Sequence, residues 1–169
     1  MNELTVIEKM GEALLLLLEQ KPFDKITVDE ITAVAGVGRA TYFRNCSSKD
    51  DLLSSYLLES YKRYYAGHST GAGVHEKSAE NLFLLFSFCF QEQEVHRKIV
   101  SAGHEMAIYD AYRKSFSEEQ GHEHWTEVFH SALIDFGLFG VIHSWIMSGC
   151  LQSPQEMVDW FLSIIQVEK

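Results

Sequence analysis

The sequence predicts an all-α chain, with a helix-turn-helix near its N-terminus and a larger helical part behind it. Three observations predict it. Apolar residues recur at helical spacing through most of the 169 residues, and no stretch shows the alternation of a strand. Proline is confined to Pro22 and Pro154, which leaves long segments free of helix breakers. Helix-opening signals stand ahead of apolar runs, at Thr27 with Glu30, Ser48 with Asp51 and Ser153 with Glu156.

In the first helix, Leu4, Ile7, Met10, Leu14 and Leu17 lie on one side and Glu3, Glu8, Glu12 and Glu19 opposite. Residues 21–24, which include Pro22, break it. Thr27 and Glu30 form a capping box, the hydroxyl accepting from the backbone N–H three residues on while the carboxylate reaches back. The short helix that follows faces inward through Val28, Ile31, Val34 and Ala35 and ends at Gly36. After a glycine-containing turn a third helix covers residues 38–45, and this close pairing marks a helix-turn-helix. Ser48 and Asp51 read as a second capping box. The helix they open reaches about residue 65, with Leu52, Leu53, Tyr56, Leu57 and Tyr61 on its apolar side. Residues 66–74 are small and glycine-rich, as in a loop. Residues 82–90 are apolar on every side, which predicts a central, buried helix. Shorter helices over 95–101 and 104–116 come next, then the longest over 125–147. A last one opens with Ser153 as cap, Pro154 in the first position and Glu156 in the third. Two units are expected, a DNA-binding domain over 1–50 and a ligand-binding and dimerisation domain over 51–169.

The formal charge is −10, from 14 basic and 24 acidic residues, and this excludes attraction of nucleic acid through overall charge. A local exception stands out. Residues 33–49 hold no acid, yet Arg39, Arg44 and Lys49 all fall there, a basic island on an acidic chain. The three cysteines, Cys46, Cys89 and Cys150, are far apart and form no CxxC, which reads as reduced core residues. No secretion signal is visible, and apolar runs such as 82–90 fall short of the roughly 20 residues of a membrane span. A cytoplasmic chain with no membrane partner is expected. Gly67-His68-Ser69-Thr70-Gly71 matches the G-x-S-x-G of a nucleophile elbow, but that turn needs a strand before the serine and a helix precedes it here. No triad, paired carboxylate or phosphate loop supports an enzyme. His122 and His124, with His96, His104 or His130, could meet as a metal site only through tertiary contact, so no metal and no cofactor are expected.

The run Ile26-Thr27-Val28-Asp29-Glu30-Ile31, then Ala35-Gly36-Val37-Gly38-Arg39-Ala40-Thr41-Tyr42-Phe43, then Ser48-Lys49-Asp50-Asp51-Leu52 resembles the DNA-binding domain of the TetR family of bacterial transcriptional regulators. The resemblance is dense over residues 4–53. It continues more thinly through Gly140, Trp145, Gly149 and Ser153 to Met157. It implies an all-α homodimer on a palindromic, double-stranded DNA operator, with a divergent C-terminal domain that senses a small ligand. Position by position, it implies that Thr27 and Lys49 hold phosphates and that Arg39, Ala40 and Thr41 face base edges. Phe43 stands where the family commonly has a tyrosine reaching the DNA backbone, and Tyr42 comes one place earlier. Asn45 replaces a histidine or tyrosine and shares the backbone role with these two. The basic N-terminal arm common in the family is missing.

The long helix over 125–147 is apolar on more than one side, and Gly137, Gly140, Ser144 and Ser148 let a partner helix approach closely. Phe129, Leu133, Phe136 and Gly140, with Trp160 and Ile164 of the last helix, are therefore expected to pair two chains in a four-helix bundle. The second unit also holds more aromatic residues than a small core demands. Phe86, Phe90, His104 and Tyr109 are the expected lining of a pocket for a small apolar or aromatic effector. Together these readings describe a ligand-responsive repressor. The alternative is a helical protein-interaction module whose helix-turn-helix is degenerate.

Overall fold

The computed structural model describes residues 4–69, 78–116 and 125–165. Among them are nine α-helices and no strand: α1 Val6–Leu18, α2 Val28–Ala35, α3 Arg39–Asn45, α4 Lys49–His68, α5 Ala79–Gln91, α6 Gln93–Ser101, α7 Glu105–Phe116, α8 Trp125–Met147 and α9 Pro154–Ile165. The chain is all-α, and one apolar core runs without a break from Met10 on α1 to Phe161 on α9.

Capping decides where α1 begins. The Thr5 hydroxyl accepts from Glu8 N at 3.2 Å and the Glu8 carboxylate accepts from Thr5 N at 2.8 Å. Glu8 is itself buried, and a second partner, the Arg63 guanidinium of α4, meets it there. A buried carboxylate persists only with such partners, since an unpaired one costs several kcal/mol. One turn on, α1 and α4 come so close that a Cβ on Gly11 would lie 2.6 Å from Cβ of Tyr56 and 2.3 Å from its ring. Alanine normally strengthens a helix interior by about 1 kcal/mol over glycine. Here the obstacle is the root of the Tyr56 side chain, which no rotamer change removes. Gly11→Ala is therefore expected to destabilise by about 2 kcal/mol, as overpacked cores do. The melting temperature should fall by roughly 4–8 °C in a thermal circular-dichroism scan. An unchanged or higher melting temperature would contradict this packing.

α2 opens on the expected capping box at Thr27 and closes at Gly36, whose φ of 67° is the left-handed conformation glycine adopts without strain. One inward assignment is corrected. Val34 is 49% exposed, because so short a helix packs on α1 through Ile31 and Val34 falls on its outer side. The second box is also only half formed. Ser48 Oγ accepts from Asp51 N, but the Asp51 carboxylate turns to the backbone and hydroxyl of Ser47. α4 extends to His68, past the expected start of the loop. It packs on α1, α5 and α7 and thus joins the first three helices to the rest.

α5 is mostly buried, but Phe83 and Phe90 reach the surface, so it is not enclosed on every side. Behind it lies a buried polar chain. His96 Nδ1 donates to the Glu92 carbonyl at 2.8 Å, which leaves Nε2 to accept from the Tyr112 hydroxyl; Tyr112 Oη lies 3.0 Å from Cys89 Sγ. Burial holds the His96 imidazole neutral, with its pKa lowered to about 4. The chain pins α5, α6 and α7 to one another. α9 opens on the predicted box, Ser153 Oγ accepting from Glu156 N and the Glu156 carboxylate accepting from Ser153 N.

Candidate nucleic-acid interface

α3 presents two unlike sides. Tyr42 and Cys46, four residues apart, face the core, and Tyr42 is 1% exposed. It is a packing residue and does not lie on the exposed side where it was expected, a correction that follows from the register of this seven-residue helix. The opposite side carries Arg39, Ala40, Phe43 and Arg44, all exposed, with Thr41 half-buried at its edge. Phe43 is 57% exposed, and its ring meets the Tyr42 ring edge-on and the Arg39 guanidinium.

Most polar groups around α3 are already partnered. Arg39 Nη1 donates to Asp29 Oδ1 of α2 at 2.6 Å, and the guanidinium lies 5.5 Å from the Phe43 ring centroid. The acid-free stretch of sequence is therefore not acid-free in space. Asn45 folds back, donating from Nδ2 to the Thr41 carbonyl at 2.7 Å. Thr27 gives both its donors to Glu30, the backbone N–H at 2.9 Å and the hydroxyl at 2.8 Å. The Lys21 ammonium first, and then these two bonds, lower the Glu30 carboxyl to a pKa of about 2. A phosphate at Thr27 would have to displace Glu30.

Lys49 points inward. Its ammonium donates to the carbonyls of Phe23 and Ile26 and sits 4.3 Å from the Phe23 ring centroid. Charge-assisted hydrogen bonds of this kind and a cation–π contact typically contribute about 2 kcal/mol. Lys49→Ala should therefore lower the melting temperature by several degrees, an effect read in a thermal melt. A variant that melts like the wild type, yet flattens the salt dependence of DNA binding by about one unit, would mean that the ammonium serves a phosphate instead. Arg44 is the exposed cation of α3 with no ion pair among the described residues. It and Asp29 are the two residues at this surface that sequence reasoning gave no role; position alone flagged Arg44, and nothing in the sequence flagged Asp29.

No family model matches the chain, and no curated protein matches it. Solved structures do. The chain is similar to the dihydroxyacetone kinase operon activator DhaS (TM-score 0.57, 14% identity, 96% of this chain and 95% of that one). It is similar to a TetR transcriptional regulator from Rhodococcus sp. RHA1 (TM-score 0.56, 19% identity, 95% and 94%). A third is the fatty acid degradation regulator FadR from Bacillus halodurans (TM-score 0.53, 15% identity, 95% and 98%). The chain has the TetR-type fold.

Within this TetR-type fold the four expected effector residues do not converge. Phe86 and Phe90 pack around Trp145, at centroid distances of 5.5 and 6.1 Å. Tyr109 stacks on Phe136 at 4.2 Å. His104 lies against Phe23 at 3.5 Å and bonds Asp50 at 2.6 Å, at the junction of α4 with the α6–α7 turn. The expected common pocket is thus corrected: aromatic content and sequence position grouped residues that belong to three separate contacts. The space among His96, Val100, Ile108, Phe139, Ile142 and His143 is a cavity of only about 10 Å³, barely room for one water.

The expected interface residues of the TetR-type fold lie at its surface. Phe129, Leu133, Phe136, Gly140, Trp160 and Ile164 are all exposed, and an open groove separates α8 from α9 between Gly140, Ser144, Met157 and Trp160. The stretch Val128–Met147 is also long and apolar enough to cross a membrane by length and composition, with a mean hydropathy of 1.2 and 22% of it buried. Counting apolar runs missed this, because glycine, serine, two histidines and Asp135 interrupt the stretch while adding only that one carboxylate. His122 and His124 lie outside the described residues, as do Thr70 and Gly71. Among the described residues no three potential metal ligands gather.

Proposed function

We propose that the chain is a DNA-binding transcriptional regulator that reads a palindromic operator as a homodimer. The observation that carries this reading is the outer side of α3. A helix of a helix-turn-helix exposes Arg39, Ala40, Phe43 and Arg44 together, with its packing residues turned the other way. In the major groove Arg39 grips a guanine through O6 and N7, Ala40 and Thr41 meet base edges and Phe43 meets a thymine methyl. Arg44, Thr27 and Asn45 serve the phosphates, and Lys49 supports them from behind. Residues 1–50 form the DNA-binding unit and residues 51–169 the dimerisation and effector unit, with α4 shared between them. DNA as partner places the chain in the cytoplasm.

The uncovered apolar stripe of α8, flanked by α9, is where the second copy docks, and it gives the two-fold symmetry that a palindrome requires. A dimer seated on an operator blocks that DNA to other proteins, so repression is the proposed sign; DhaS is described as an activator. The effector is a small apolar or aromatic compound that opens the packing among α5, α7 and α8, and a compound screen by thermal shift addresses it.

The deciding experiment is a gel shift with the DNA flanking the chain's own gene, at low and moderate salt. A discrete, competitor-resistant complex is expected. Binding to every duplex alike, or to none, would leave the interaction-module alternative in its place.

A further inference from the structure

We propose that Asp29 is a positioning residue for Arg39, and through it sets which base the chain reads; this rests on α3 being the recognition element. Asp29 stands in the first turn of α2, ten residues ahead of its partner, and the left-handed turn at Gly36 brings the starts of α2 and α3 side by side. The two side chains are 67% and 61% exposed, so the pair is open to solvent. Exposed ion pairs contribute little to stability. A carboxylate facing DNA also repels phosphate. The pair is therefore costly for DNA affinity and nearly neutral for folding, and its value lies elsewhere.

That value is orientation. The guanidinium is held on two sides, by Asp29 at Nη1 and by the Phe43 ring across its face. Nε and Nη2 are left with no partner among the described residues, and they form one edge with two parallel donors. That edge matches O6 and N7 of guanine. A free arginine side chain samples many rotamers and reaches phosphates as readily as bases. An arginine clamped in this way has given up that freedom before DNA arrives, and its remaining edge points at a base.

Selection from a random duplex pool tests this with the full-length wild type, Asp29→Asn, Asp29→Glu and Arg39→Ala. The wild type is expected to enrich a site with guanine at one position of each half. Asp29→Asn should bind random duplex at least as tightly as the wild type, yet lose about fivefold or more of its discrimination at that position. Asp29→Glu should restore most of it, and all variants should melt within a degree or two of the wild type. Asp29→Asn on top of Arg39→Ala should change nothing further at that position. Unaltered discrimination in Asp29→Asn, or loss spread evenly over the site, would overturn the positioning role while leaving the DNA-binding reading intact. A wild type that enriches no sequence would take both down.

Discussion

Leu133→Asp is expected to leave a folded 19.3 kDa monomer that no longer forms a stable operator complex. Leu133 is 71% exposed in the protomer, so the change removes no packing from the subunit itself. At a two-fold interface the same residue meets the partner helix, and two carboxylates enter an apolar seam with no basic residue of α8 to receive them. An uncompensated buried charge typically costs about 3–5 kcal/mol, which weakens association by roughly a hundredfold or more. Each half-site must then be held by one helix-turn-helix alone, and the advantage of linked binding is lost. Sedimentation at micromolar concentration reads the first effect and a gel shift the second. A variant that still sediments at twice the chain mass would move the interface away from this face of α8. A monomeric wild type that partitions into lipid vesicles would show the apolar stripe to be a membrane contact.

Arg39→Ala should cost operator affinity without costing stability. A bidentate arginine–guanine contact is worth about 1–3 kcal/mol against a wrong base, and a dimer makes it twice. The loss is therefore about 30-fold at the least, confined to the cognate site, while weak binding to random duplex falls only by the one phosphate-range charge removed from each subunit. The pair with Asp29 is exposed, so the melting temperature should hardly move. Titration of cognate and scrambled duplexes with the same protein separates the two terms. Equal losses on both would make Arg39 a phosphate contact and return the base-reading role to Ala40, Thr41 and Phe43.

The parts of this structure that were legible in the sequence are those written within four residues. Thr27 with Glu30 and Ser153 with Glu156 form boxes because cap and partner are three apart in any helix start. The α3 surface was legible as a short helix after a glycine turn. What escaped were partners set by the crossing of helices. Arg39 and Asp29 lie ten residues apart, Lys49 and Phe23 twenty-six, His104 and Asp50 fifty-four. Each pairing reassigns a residue. Lys49 becomes an internal brace, His104 a junction residue instead of a pocket handle, and Arg39 an ion-paired residue instead of a free one. Tyr42 moved for a subtler reason. Each position of a helix turns the side chain by about 100°, so a shift of one place is enough to carry an aromatic ring from the exposed side to the core, and the resemblance in sequence did not resolve it.

By itself the sequence determined that this chain is helical, where most of its helices start and stop, and that its second and third helices form a tight pair. Capping, helical periodicity and the glycine turn act through neighbours on the chain, and those neighbours are given by the sequence directly. Only the tertiary structure decided which apolar sides are covered and which charges remain available. The hydrophobic effect is non-directional: it requires that Phe86, Tyr109 and Phe136 find apolar company but does not say whose. Their company turned out to be Trp145 for Phe86, and each other for Tyr109 and Phe136, which closed the expected pocket. The stripe from Phe129 through Leu133 to Gly140 was left open, because the core on its other side had already been filled by α5, α6 and α7.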